Sequence, residues 1–133
     1  MINRVEKLSL LSEMIAFVQK DDGIKSIEHK FLLNIARQLD ISEEDFNYLY
    51  ENPVTYVHLK SYSERIVQFH RLILLMNLNH ECGSKQFIRI HNFGLRMGLS
   101  QESINRVLDL MDSFPNKIIP PDFLIDIFKV QYN

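Results

Sequence analysis

The residues with the clearest chemical content follow the first helix-length segment. Asp21 and Asp22 precede Gly23, and Glu28 comes five residues beyond that glycine. Carboxylates are hard oxygen donors suited to Ca²⁺, Mg²⁺ or Mn²⁺. A glycine lets the backbone turn sharply enough for loop and helix-start carboxylates to converge. Asp21, Asp22 and Glu28 are therefore the metal candidates. The loop is not an EF-hand, whose ligands alternate over about 12 residues. A second reading needs no metal: the aspartates are turn residues, and Glu28 faces the positive end of a helix dipole.

A related loop, His80-Glu81-Cys82-Gly83, lies in the second half, with Gln86 opposite Glu28. Consecutive side chains rarely converge on one ion, so this loop reads as a plain helix-turn-helix connection. His29, His58, His70 and His91 show no i, i+4 metal pair and no HExxH motif, and read as solvated or core-edge residues. Cys82 has a histidine two residues away but nothing else that would activate a thiol. There is no G-x-S-x-G, phosphate loop or Rossmann fingerprint. The expectation is a protein that is not an enzyme.

Composition bounds the partners. The chain has 133 residues, 15 Lys+Arg against 17 Asp+Glu, 46% hydrophobic residues and one cysteine. That suits one globular domain without staples. The net charge of −2 argues against nucleic acid, which calls for a basic footprint. One cysteine excludes an internal disulfide framework. The longest aliphatic run, Leu72 to Met76, is far short of the ~20 residues of a membrane span. Glu6, Lys7 and Glu13 interrupt the N-terminal apolar residues, so no signal peptide is expected. A cytoplasmic setting without membrane insertion follows as the expectation.

The elements that must position these residues read as helices. Apolar spacings of three and four run through Val5–Val18, Ile27–Leu39, Ile66–Leu78, Phe87–Met97, Ile104–Met111 and Phe123–Phe128. Ser26, Ser42, Ser63, Ser84 and Ser100 are candidate N-caps, with Ser42 and Asp45 resembling a capping box. A short helix is expected from Glu43 to about Glu51, and Gly98 stands where a left-handed C-cap belongs. Residues 53–62 have β propensity but no second strand to pair with, and read as an extended connection. The helix from Ser63 is apolar on most faces and is expected to be the most buried. The expected fold is all-α, with about seven helices: two similar three-helix halves plus a C-terminal helix.

Tyr48, Tyr50, Tyr56 and Tyr62 either pack the connection onto the helices or form a recognition surface. The C-terminal FLIDIFKV either closes the core or pairs with a second subunit, so a homodimer stays open.

The halves resemble one another. Residues 33–50 align within 90–108 at an offset of 58, sharing Ile41-Ser42 or Leu99-Ser100 after a break at Asp40 or Gly98. Residues 10–23 align with 70–83 at an offset of 60 through Gly23 and Gly83. The repeat spans approximately 8–53 and 66–115 within one domain over 1–133.

A helix ending in Asp-Asp-Gly, Glu28, a helix ending in Leu-Asp-Ile-Ser, and an approximate second copy together resemble the TerB-like (tellurite resistance protein B-like) domain, from about Leu8 to Met111. The resemblance implies an all-helical duplicated domain whose acidic loops bind divalent metal. It also implies a link to intracellular stress response, beside membrane-associated partners. Only Asp21, Asp22, Gly23 and Glu28 match the acidic motif; the second loop departs at Cys82 and Gln86. The functional expectation is a cytoplasmic module that binds a divalent cation and a protein partner. The alternative is a structural interaction bundle or homodimer without metal.

Overall fold

The computed structural model of the chain describes residues 2–19, 23–78 and 84–132. Among these it holds seven α-helices and no strand: α1 (Arg4–Val18), α2 (Ser26–Gln38), α3 (Glu43–Tyr48), α4 (Tyr62–Met76), α5 (Ser84–Arg96), α6 (Gln101–Leu110) and α7 (Pro121–Tyr132). Two single 3₁₀ turns, Met111–Ser113 and Pro115–Lys117, follow α6. No described helix is long and apolar enough to cross a membrane. The chain divides into two compact units, Met1–Leu59 and Lys60–Asn133.

Both ends of α1 and α2, and the start of α3, recur 58 residues later in α4, α5 and α6. The upstream helices thus share the 58-residue spacing rather than the offset of 60 that Gly23 and Gly83 suggest. Gly23 stands three residues ahead of α2, whereas position 83 immediately precedes α5.

Local chemistry explains the shared ends. Asp40 (φ 59°) and Gly98 (φ 80°) are both left-handed. Ile41 N–H donates to the Ala36 carbonyl at 2.9 Å and Asp40 N–H to Arg37 at 3.1 Å; Leu99 and Gly98 repeat this onto Gly94 and Leu95 at 3.1 and 3.0 Å. These are paired Schellman closures, which satisfy helix-end carbonyls. The apolar residue after each, Ile41 or Leu99, is buried. Ser42 and Ser100 then cap the next helix, each hydroxyl accepting from the N–H three residues on at 3.1 Å.

Four helix starts differ from expectation, the first being α5, which begins at Ser84 itself, so that Ser84 is helical and not the cap. Ser61, not Ser63, caps α4, through the Glu64 N–H at 3.3 Å. Lys25 occupies the cap position of α2, with Ser26 already helical. Asp45 turns its carboxylate to Arg4 at 2.7 Å. That guanidinium, the largest influence on it, holds the Asp45 carboxyl below its usual range. The third helix also stops at Tyr48 rather than near Glu51.

In the first unit, α1 is buried around most of its circumference, Ser9, Ser12 and Glu13 included. It is buried at more positions than α4, the helix expected to be most enclosed. Two of its polar side chains hold the strand-like connection. Val57 N–H donates to Ser9 Oγ at 2.8 Å and Val54 N–H to Ser12 Oγ at 3.2 Å. Donors three residues apart thus meet hydroxyls three residues apart on one helix face, so these two N–H groups of the extended backbone are satisfied without a second strand.

The second unit is tied through α4. Tyr62 Oη donates to the Phe128 carbonyl at 3.3 Å, and Arg65 Nη1 to that of Met97 at 3.2 Å. His70 Nε2 sits 2.8 Å from the Ile119 carbonyl and donates to it. Burial depresses the His70 pKa, countered in part by that hydrogen bond. Phe69 and Phe128, both fully enclosed, meet edge-on with centroids 5.8 Å apart. Leu124, Ile127 and Phe128 of the C-terminal segment are buried, so that segment closes the core; Phe123 stays 42% exposed.

Candidate functional site

Of the three residues chosen as metal candidates, Glu28 is described; Asp21 and Asp22 lie outside the described residues, as do His80, Glu81, Cys82 and Gly83. Gly23, just beyond the aspartates, has φ 91°, in the left-handed region where a side chain is strained. A Cβ built there would meet nothing within 4 Å among the described residues. Backbone conformation, not crowding, is therefore what favours glycine at this turn.

Glu28 is the third residue of α2 and only 4% exposed. Its Oε1 accepts from the Lys25 N–H at 2.9 Å, the reaching-back half of a capping box. A lysine cannot supply the other half, because its side chain carries no acceptor. Glu28 therefore satisfies one open N–H at the start of α2 and places a carboxylate against the positive end of the helix dipole. Gln86 takes the same register in α5 and is half-buried. It can still accept a hydrogen bond but contributes no charge. Among the described residues no three His, Cys, Asp or Glu side chains gather where they could hold a metal ion.

The histidines fall where solvated and core-edge residues belong. His58 is exposed beside Tyr56, with Nδ1 3.3 Å from the phenol, and His91 is half-buried. His29 has a more specific environment, which sequence reasoning missed. Its Nδ1 lies 2.7 Å from Tyr50 Oη, and both rings lean on Phe46, at 5.7 and 5.4 Å between centroids. The half-buried phenol is pushed up to about 12 by burial. Tyr50, Tyr56 and Tyr62 thus pack or bond within their units, while Tyr48 alone of the cluster stands well out, 66% exposed.

The sign of the Tyr50 shift gives a direct test. Its folded pKa lies above the unfolded value of about 10, so the stabilisation it provides is complete below pH 10. That stabilisation fades as pH rises from 10 to about 12. In an ultraviolet phenolate titration, the difference between the parent and Tyr50→Phe should show a midpoint near 12. A midpoint near 10 would mean a solvated phenol.

A further feature lies between α5 and α6, where Phe87, Asn105, Leu108 and Asp109 line an open groove of about 450 Å³. The positions of Phe87 and Leu108 correspond, 58 residues earlier, to His29 and Tyr50. Their hydrogen bond and stacking join the corresponding elements of the first unit.

No family model matches the chain, and no curated protein or solved structure matches it either.

Proposed function

We propose that the chain is a non-enzymatic cytoplasmic module of the TerB-like kind. In this reading it takes a divalent cation (Ca²⁺, Mg²⁺ or Mn²⁺) at Asp21, Asp22 and Glu28 and engages a protein partner in a stress response. The observation that carries the reading is the placement of Glu28. Its carboxylate is almost enclosed at the start of α2, five residues after a left-handed Gly23 that follows two aspartates. Enclosing a carboxylate is costly unless charge and hydrogen bonds compensate it. The Lys25 N–H gives one such bond, and a cation on the adjoining loop would add charge.

Calorimetric and thermal titration of chelator-treated protein with each ion tests this. Saturation to about a hundredfold over Kd should stabilise the fold by about 2.7 kcal/mol, a melting-temperature rise of roughly 5–10 °C. Asp22→Asn with Glu28→Gln should abolish both the heat and the rise. Absence of heat and of any melting shift with all three ions would overturn the metal half.

A second reading has its own observation. The hydrogen bond from Lys25 to Glu28 is by itself a sufficient reason for an acid at this helix start. Under that reading the module is a structural interaction bundle, and excess metal shifts the melting temperature of neither the parent nor the double variant.

A further inference from the structure

Ile88 and Leu95 lie two turns apart on one side of α5 and are 60% and 42% exposed. The fold does not require apolar residues there. The positions 58 residues earlier, in α2, hold Lys30 and Arg37, both exposed. The same helix therefore forms in the first unit with cations at the places where α5 shows an aliphatic stripe. Phe87, next to Ile88, begins the groove that continues through Leu108, Asn105 and Asp109 of α6. α5 also carries Lys85, Arg89 and Arg96 and no carboxylate.

We propose that the outer face of α5, with the groove beside it, docks an acidic amphipathic helix of a protein partner. This deepens the interaction-module reading, on which it rests, and is independent of the metal. Charge decides between the occupants. An antiparallel pairing of α5 with α5 of a second copy would set Lys85 near Arg96, like charge against like. Lys85, Arg89 and Arg96 lie on the flank of the stripe away from Phe87, so a partner helix with carboxylates on that one flank would meet the cations and the stripe together. The groove separates a peptide from an anionic bilayer. A concave slot accepts one anchoring side chain from a helix, whereas a lipid surface engages protruding side chains and leaves such a slot unfilled.

The test uses the full chain and a synthetic helical peptide of about 18 residues. The peptide bears leucines at i, i+3, i+7 and glutamates on one flank only, the other flank being uncharged. Fluorescence anisotropy should show binding that weakens as salt is added. Amide chemical-shift changes should concentrate in α5 and α6. The double variant I88K/L95R, which installs the first unit's own residues, should keep the parent's circular dichroism and, compared with the parent at about 0.5 M salt, where its two added cations attract little, bind at least about tenfold more weakly. No binding, or shift changes on another face, overturns the proposal; in the latter case the interaction-module reading survives. Binding of I88K/L95R at parental affinity overturns it as well. So does a stripe-dependent association with phosphatidylserine vesicles while the peptide is ignored, or a parent dimer that I88K/L95R dissolves. Parental peptide binding by the Asp22→Asn, Glu28→Gln double variant supports the proposal even where the ion titrations are silent, so the two readings fail separately.

Discussion

Phe69→Ala is expected to destabilise the protein by about 3–5 kcal/mol, the usual range for truncating a fully enclosed phenylalanine. The ring has no solvent exposure and meets Phe128 edge-on at 84°, with centroids 5.8 Å apart. Its edge also lies where a Cβ on residue 94 would come within 2.9 Å of it. Truncation therefore leaves a cavity bounded by elements that other contacts hold in place, and such a cavity collapses poorly. Phe69→Leu, which installs the residue found 58 positions earlier at Leu11, should cost clearly less. Urea denaturation followed by circular dichroism gives the totals. Hydrogen exchange should show the early loss of protection in α5–α7. A loss below about 1 kcal/mol for Phe69→Ala would show that the site repacks.

The helical architecture was legible because its determinants are local. Apolar spacings, the Asp40 and Gly98 breaks and the Ser42 and Ser100 caps each act within a few residues, and each appears where its chemistry places it. The connection 53–62 was legible as extended, save for Tyr62 where α4 begins, but not as anchored. Its anchors are Ser9 and Ser12, over forty residues away, and a serine on a helix looks alike whether its hydroxyl meets water or a backbone N–H. The glycines misled the upstream comparison. Gly23 and Gly83 look equivalent as letters, yet helix bounds place them differently relative to α2 and α5.

The candidate site divides in the same way. That Glu28 would stand at a helix start was readable from its spacing. That it would be almost enclosed and bonded to Lys25 was not, since burial depends on what packs around it. His29 and Tyr50 are 21 residues apart and meet only because the turn after Gln38 folds α3 back beside α2. The exposed stripe of α5 escaped notice for the opposite reason. A stripe of Ile88 and Leu95 looks like core in a sequence, and only exposure, set against Lys30 and Arg37, shows that the fold leaves it outside.

Gly94→Val is expected to cost about 3 kcal/mol, from overpacking rather than from a cavity. A Cβ at residue 94 would stand 2.7 Å from Ile104 Cδ1 and 2.9 Å from Phe69 Cε1, and neither neighbour has any solvent exposure to move into. Overpacking of this kind costs about 1–3 kcal/mol, occasionally more, and valine adds two γ-carbons without the helix propensity of alanine. Gly94→Ala should cost less, because about 0.8–1.0 kcal/mol of propensity offsets part of the clash. The first unit shows how the same positions tolerate a methyl group. Leu11, Ala36 and Phe46 stand 58 residues before Phe69, Gly94 and Ile104, and all three are enclosed. One trio is large at its first member and smallest at its second; the other moves that bulk to its third. Installing Leu, Ala and Phe together at 69, 94 and 104 changes the side-chain total by a single added carbon, so the triple variant should fall within about 1.5 kcal/mol of the parent. That recovery, relative to the sum of the single changes, is the coupling expected of residues in direct contact. Strictly additive losses in urea denaturation would mean that the two trios are not packed alike.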